Sequence, residues 1–184
     1  VCANSNDATS RLAELKSRIP NVKCKGFCWR VCTGINMTEL EHKLIKERYG
    51  IHIPMALPEL VIRFGDRTLC PALDEQHHCV IHEDAEAYPT VCKAVGAVEH
   101  MPCPYGCEVE GGQLMPIEEY KLLDADINDV GGNAFQSPMD RRRLRQQLST
   151  KTGVRRFRER AMEMMEGPRR WWAAYIKKWP EGEP

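Results

Sequence analysis

The sequence predicts an α+β chain in two parts. Residues 1–136 read as a small, irregular cysteine-rich domain with short helices and a small hairpin, and residues 137–184 as a helical, basic, Trp-rich C-terminal arm. Three observations lead there. Eight of the nine cysteines fall between positions 24 and 107, in two blocks. The apolar supply is modest for 184 residues, at 42% hydrophobic and 7% aromatic against 28% charged. A region poor in large apolar residues needs another source of stability, and metal ligation by thiolates is one. The domain is therefore expected to be metal-stabilised. Thirdly, the zero net charge is a cancellation. Residues 1–139 carry 13 Lys+Arg against 20 Asp+Glu, whereas residues 140–179 carry 13 against 4. Such asymmetry marks a basic arm suited to an anionic partner.

Residues 5–18 read as a helix with Leu12, Leu15 and Ile19 on one side and Pro20 as its stop. Cys24, Cys28 and Cys32 follow at C-x3-C-x3-C spacing. On a helix they share a face; in a loop the same spacing wraps a metal; and buried free cysteine also serves as a small apolar residue. Thr38 and Glu41 form a capping box for a second helix, with Leu40, Leu44 and Ile45 as its buried stripe and Gly50 at its end. His42 on this helix is expected to face solvent. Residues 60–64 into 67–70 are expected to form the hairpin that delivers Cys70 to the site.

The second block holds Cys70, Cys79, Cys92, Cys103 and Cys107, with prolines at 71, 89, 102 and 104 that exclude long helices. Cys103-Pro-Tyr-Gly-Cys107 reads as a tight turn. His77, His78 and His82 read as surface residues before ligands. Residues 108–136 are expected to be acidic and loop-rich, with a short helix around 114–123. Their Asp124, Asp126, Asn128 and Asp129 lack the glycine and distal glutamate of a calcium loop. Ser137-Pro138 with Asp140 is a strong helix start, and a further helix is expected over about 152–166, with Val154, Phe157, Ala161, Met164 and Met165 on one face.

The metal ligands expected are thus Cys24, Cys28, Cys32, Cys70, Cys79, Cys92, Cys103 and Cys107, enough for one or two four-thiolate sites. The long, irregular spacings favour an iron–sulfur cluster (4Fe-4S) over Zn. The arm residues Arg155, Arg156, Arg169, Arg170, Trp171, Trp172, Tyr175 and Trp179 are expected to bind partners, because exposed aromatics beside arginine make interface anchors. Protein subunits of a larger assembly, such as a viral or other multi-protein particle, come first as partners. Nucleic acid comes second, through phosphate contacts and stacking.

No apolar run is long enough for a membrane span, no secretory signal is visible, and nine cysteines leave a disulfide framework one short. A cytoplasmic setting, or an intracellularly assembled complex, is expected. Nucleophile-elbow, P-loop, HExxH and dinucleotide fingerprints are all lacking, so a non-catalytic structural or adaptor role is expected.

Cys70-Pro-Ala-Leu73, Cys79-Val-Ile-His82 and Pro89-Thr-Val-Cys92, with Cys24, Cys28 and Cys32 upstream, resemble the YkgJ-type cysteine-rich family, which chelates zinc or iron. The resemblance covers about residues 24–107. The upstream spacing here is wider than the paired Cys-Cys usual in that family, and its Arg-Pro is replaced by Ala85-Glu86-Ala87-Tyr88. The resemblance implies metal ligation by these cysteines. It also supplies the enzymatic alternative, an iron–sulfur redox or group-transfer enzyme related to the cysteine-rich region of lysine N-methylases.

Overall fold

A computed structural model describes residues 5–25, 37–53, 70–103, 105–132 and 137–163. The fold is α+β: six helices and one two-stranded antiparallel sheet among the described residues. Helix α1 spans Ser5–Ser17, α2 Glu39–Tyr49, α3 Thr90–Ala94, α4 Ile117–Gly131 and α5 Pro138–Leu148. A sixth helix, α6, occupies 151–163. Strand β1 (Val22–Lys23) pairs with β2 (Glu108–Val109), in the register Val22↔Val109 and Lys23↔Glu108.

Local signals account for most helix ends. Thr38 Oγ1 accepts from the Glu41 N–H at 3.1 Å, and the Glu41 carboxylate accepts from the Thr38 N–H at 2.8 Å, which completes the capping box. Helix α2 closes at Gly50 with φ 66°. Ser137 Oγ accepts from the Asp140 N–H, and Pro138 occupies the first turn of α5.

Helix α4 is the centre of the fold and corrects the expected acidic loop. Ile117, Tyr120, Leu123 and Ile127 recur at helical spacing and are buried, so one apolar stripe holds the whole 15-residue run in a helix. Asp126 and Asp129 ride on its outer side. Helices α1, α2 and α5 all pack on it. Leu12 and Ile19 from the α1 region, Leu44 and Ile45 from α2, and Ile81 and Val98 from the loops meet the α4 stripe in one core. The pairing of β1 with β2 links the end of α1 to the segment before α4. The hairpin expected over 60–70 lies outside the described residues except for Cys70.

Candidate metal centre

The two-stranded sheet brings the two cysteine blocks together. The ladder ends at Lys23↔Glu108, so Cys24 and Cys107 are the residues that immediately adjoin its last pair. The Lys25 N–H donates to Cys107 Sγ at 3.3 Å, and Lys25 Nζ donates to the Tyr105 carbonyl at 3.1 Å. Cys103 approaches the same seam from the other side of the turn, which is closed by Gly106 N–H to the Cys103 carbonyl at 3.1 Å. Gly96 seats it there. With φ +83° it holds a backbone conformation that disfavours other residues, and a Cβ would stand 3.1 Å from Cys103 Cβ and 3.4 Å from Val22 Cγ1.

Burial pushes the Cys103 thiol up, as do a hydrogen bond with Cys107 and its nearby charge, while the N–H groups of Cys107 and Tyr105 pull it down. Two neighbouring thiols that receive backbone N–H groups have the donor chemistry of a thiolate metal site, in which a cation replaces the thiol protons. Cys103 and Cys107 have the chemistry of such a centre, and Cys24 adjoins them at the end of β1. Cys28 and Cys32 follow Cys24 directly and lie outside the described residues.

The remaining cysteines are placed differently. Cys70 is buried in the apolar core. Cys79, half-buried against that core, bridges Leu73 in a loop closed by Val80 N–H to the Ala72 carbonyl at 2.9 Å. Cys92 is half-buried on α3. Among the described residues no three His, Cys, Asp or Glu side chains are gathered to hold a metal ion. Of the eight expected ligands, then, Cys103 and Cys107 share one turn beside the end of β1, where Lys25 reaches Cys107, and no three of the described ones are gathered at one point.

The histidines of the second block engage carboxylates near the surface: His82 Nδ1 lies 3.0 Å from Glu83 Oε1, and His78 Nδ1 lies 3.8 Å from Asp74 Oδ2. His42 differs from its expected solvent-facing placement. It is half-buried, its ring meets His52 edge-on at 5.1 Å, and its Nε2 is shielded from solvent with no hydrogen-bond partner among the described residues.

A second cluster escaped the sequence reading. Lys16 and Glu41 are buried, 3.2 Å apart, at the junction of α1, α2 and α3. Glu41 Oε1 also accepts from the N–H and hydroxyl of Thr90, at 2.8 and 2.6 Å, while Oε2 takes the Thr38 N–H and hydroxyl. Lys16 Nζ donates to the Glu86 carbonyl at 2.8 Å. Burial pushes the Lys16 ammonium down, and Glu41 opposes that shift. The signal was present: Lys16 stands at i+4 from Leu12, on the stripe reserved for apolar residues.

The first half of the basic arm packs on the domain. Arg141 Nε donates to Asp129 at 2.5 Å, Arg145 to Asp126 at 2.8 Å and to Asp129, and Arg158 to Glu118 at 2.9 and 2.5 Å. Arg158 holds the Glu118 carboxyl below its ordinary range. Phe157 and Ala161 pack against the core. Arg155 is exposed and pairs with Glu159 on its own helix at 3.9 Å, and Arg156 is exposed between α5 and α6. The other expected anchors, Arg169, Arg170, Trp171, Trp172, Tyr175 and Trp179, lie outside the described residues. No helix among the described residues is long and apolar enough to cross a membrane. No protein-family model, curated protein or solved structure gives a match to this chain.

Proposed function

We propose that the protein is a non-catalytic metal-binding component of a larger assembly. Its thiolate centre forms where the Cys24–Cys32 block meets the Cys103–Cys107 turn. The observation that carries this reading is the long-range β1–β2 pairing, which ends beside Cys24 and Cys107, with the Lys25 N–H on Cys107 Sγ. Cys28 or Cys32 supplies the fourth sulfur. An all-thiolate donor set suits Zn or an iron–sulfur cluster, and the irregular cysteine spacing favours the cluster. When bound, the metal would replace the thiol protons of Cys103 and Cys107 and would lock β1 to the turn. Docking to protein subunits falls to the Trp-rich end of the arm, since Arg141, Arg145 and Arg158 are already paired with the domain.

Elemental analysis of the full-length protein, with assay of acid-labile sulfide, tests the centre. At least one zinc, or iron with sulfide, is expected per chain, and Cys107→Ser is expected to lower that content while leaving the helical circular dichroism in place. A folded, colourless, metal-free protein whose thiols all react with a thiol reagent would reject the reading.

A further inference from the structure

The cations of the arm divide into two sets. Arg141, Arg145 and Arg158 turn toward Asp126, Asp129 and Glu118. Arg142, Arg143, Lys151, Arg156 and Arg160 are exposed, with no carboxylate partner among the described residues. Two of these, Arg156 and Arg160, line an open cleft of about 400 Å³ between α5 and α6. The rest of its lining is Gln146, Gln147, Thr150, Thr152 and Gly153, with no carboxylate among the described residues that line it.

The cleft is built by a close backbone approach. A Cβ at Gly153 would fall 1.8 Å from the Gln147 carbonyl oxygen, so the start of α6 can lie this near the end of α5 only with glycine there. The first turn of α6 is fixed by Thr150, whose hydroxyl accepts from the Gly153 N–H at 3.0 Å and whose carbonyl accepts from the Val154 N–H at 2.9 Å. The first turn of α6 lines the cleft through Thr152 and Gly153. Arg156 and Arg160 stand one turn apart on α6, about 6 Å along its axis.

We infer that this cleft binds the phosphodiester backbone of a nucleic acid, without reading its sequence. Guanidinium, amide and hydroxyl donors around a helix N-terminus are the groups that contact phosphate and sugar. An acidic protein face would be held by an apolar or aromatic anchor as well as by charge, and the cleft lining offers none. The neighbouring Arg142, Arg143 and Lys151 extend the positive surface along the backbone. This inference stands apart from the metal centre and does not require it.

Fluorescence anisotropy of the full chain with a labelled strand and a labelled duplex, each about 20 nucleotides long, at about 50 and 200 mM salt, tests it. Binding is expected to weaken steeply with salt and to be indifferent to sequence. Arg156→Ala/Arg160→Ala is expected to weaken it at least about tenfold at low salt and to reduce the log–log salt slope by about two. Arg155→Ala, which removes a cation paired on its own helix, serves as the control and should change affinity less than about threefold. Gly153→Ala tests the cleft separately: it should weaken binding while every arginine is retained. Unchanged affinity and slope in the double variant would overturn the inference. So would equally tight capture of poly-glutamate, which would make this a surface for acidic protein.

Discussion

Glu41 and Cys107 each tie together segments far apart in the chain, one through oxygen and the other through sulfur. At Glu41, a carboxylate gathers Thr38, Thr90 and Lys16 from three helices, and both of its oxygens are fully engaged within the protein. At Cys107, β1 pairs with β2 through a two-residue ladder, and Lys25 beyond it reaches the 103–107 turn through its N–H on Cys107 Sγ and its Nζ on the Tyr105 carbonyl. Strong acceptors surrounded by strong donors make a self-sufficient fastening. Thiols are weak donors and weak acceptors, so the seam gains little until the sulfurs acquire a cation. The α1–α2–α3 junction is thus expected to hold by itself, and the β1–β2 seam to hold only when loaded.

Metal removal is the sharpest way to separate the two, and the largest effect expected. Structural zinc contributes roughly 10–16 kcal/mol of apparent binding free energy in small sites. Chelation should therefore strip hydrogen-exchange protection from the amides of residues 22–25 and 106–110, while protection in α4 persists or falls later. Equal protection at the seam before and after chelation would end the distinction.

The Glu41 junction is broken from inside. Glu41→Ala leaves the buried Lys16 ammonium without its carboxylate and four donors without acceptors, and it should cost about 3–5 kcal/mol in denaturant unfolding. Lys16→Met removes the charge that burial penalises and leaves Glu41 its four hydrogen bonds. It should cost distinctly less, about 1–2 kcal/mol. Equal losses in the two variants would show that the ion pair, and not the carboxylate's hydrogen bonds, is the fastening.

The same contrast explains what was legible in the sequence. The capping box of α2 and the Ser137-Pro138 start of α5 are short-range devices, each readable within four residues, and both form as expected. Helix α4 was read too short because acidic residues at 124–129 resemble a loop. Tertiary burial of Ile127 on the far side of the same turn decided otherwise. The pairing of β1 with β2 joins two-residue strands that carry no periodicity of their own, so nothing local announces it. Glu41 was recognised as a cap, but its second oxygen serves Thr90, 49 residues away. For the candidate site, the sequence nominated eight sulfurs and expected the upstream block to meet the downstream one. The β1–β2 register that ends beside Cys24 and Cys107 could come only from the fold.

A third tie, at the end of α2, is exposed enough to be tuned by acid and tests how much a carboxylate fastening depends on burial. Arg48 binds both oxygens of Asp84 at 2.8 and 2.9 Å and also reaches Glu86, while Asp84 accepts from the Tyr49 hydroxyl and the N–H groups of Glu86 and Ala87. Burial pushes the Asp84 carboxyl up, but the Ala87 N–H, Arg48 and Tyr49 together outweigh it and hold the group below its ordinary value. The folded state therefore binds fewer protons than the unfolded state in the window between the two values. The contribution of the clamp is complete above the ordinary carboxylate value of about 3.9 and is lost as pH falls through the depressed folded one. Because the guanidinium is 39% exposed, solvent screening limits the ion pair to about 1 kcal/mol or less. Asp84→Asn keeps an oxygen for the Ala87 N–H and removes the charge. Its stability deficit against the parent chain should be largest near neutral pH and should close as both are titrated into the acid range. A deficit that stays constant with pH would assign the clamp to hydrogen-bond geometry alone, making it a smaller relative of the Glu41 junction rather than a charge-dependent tie.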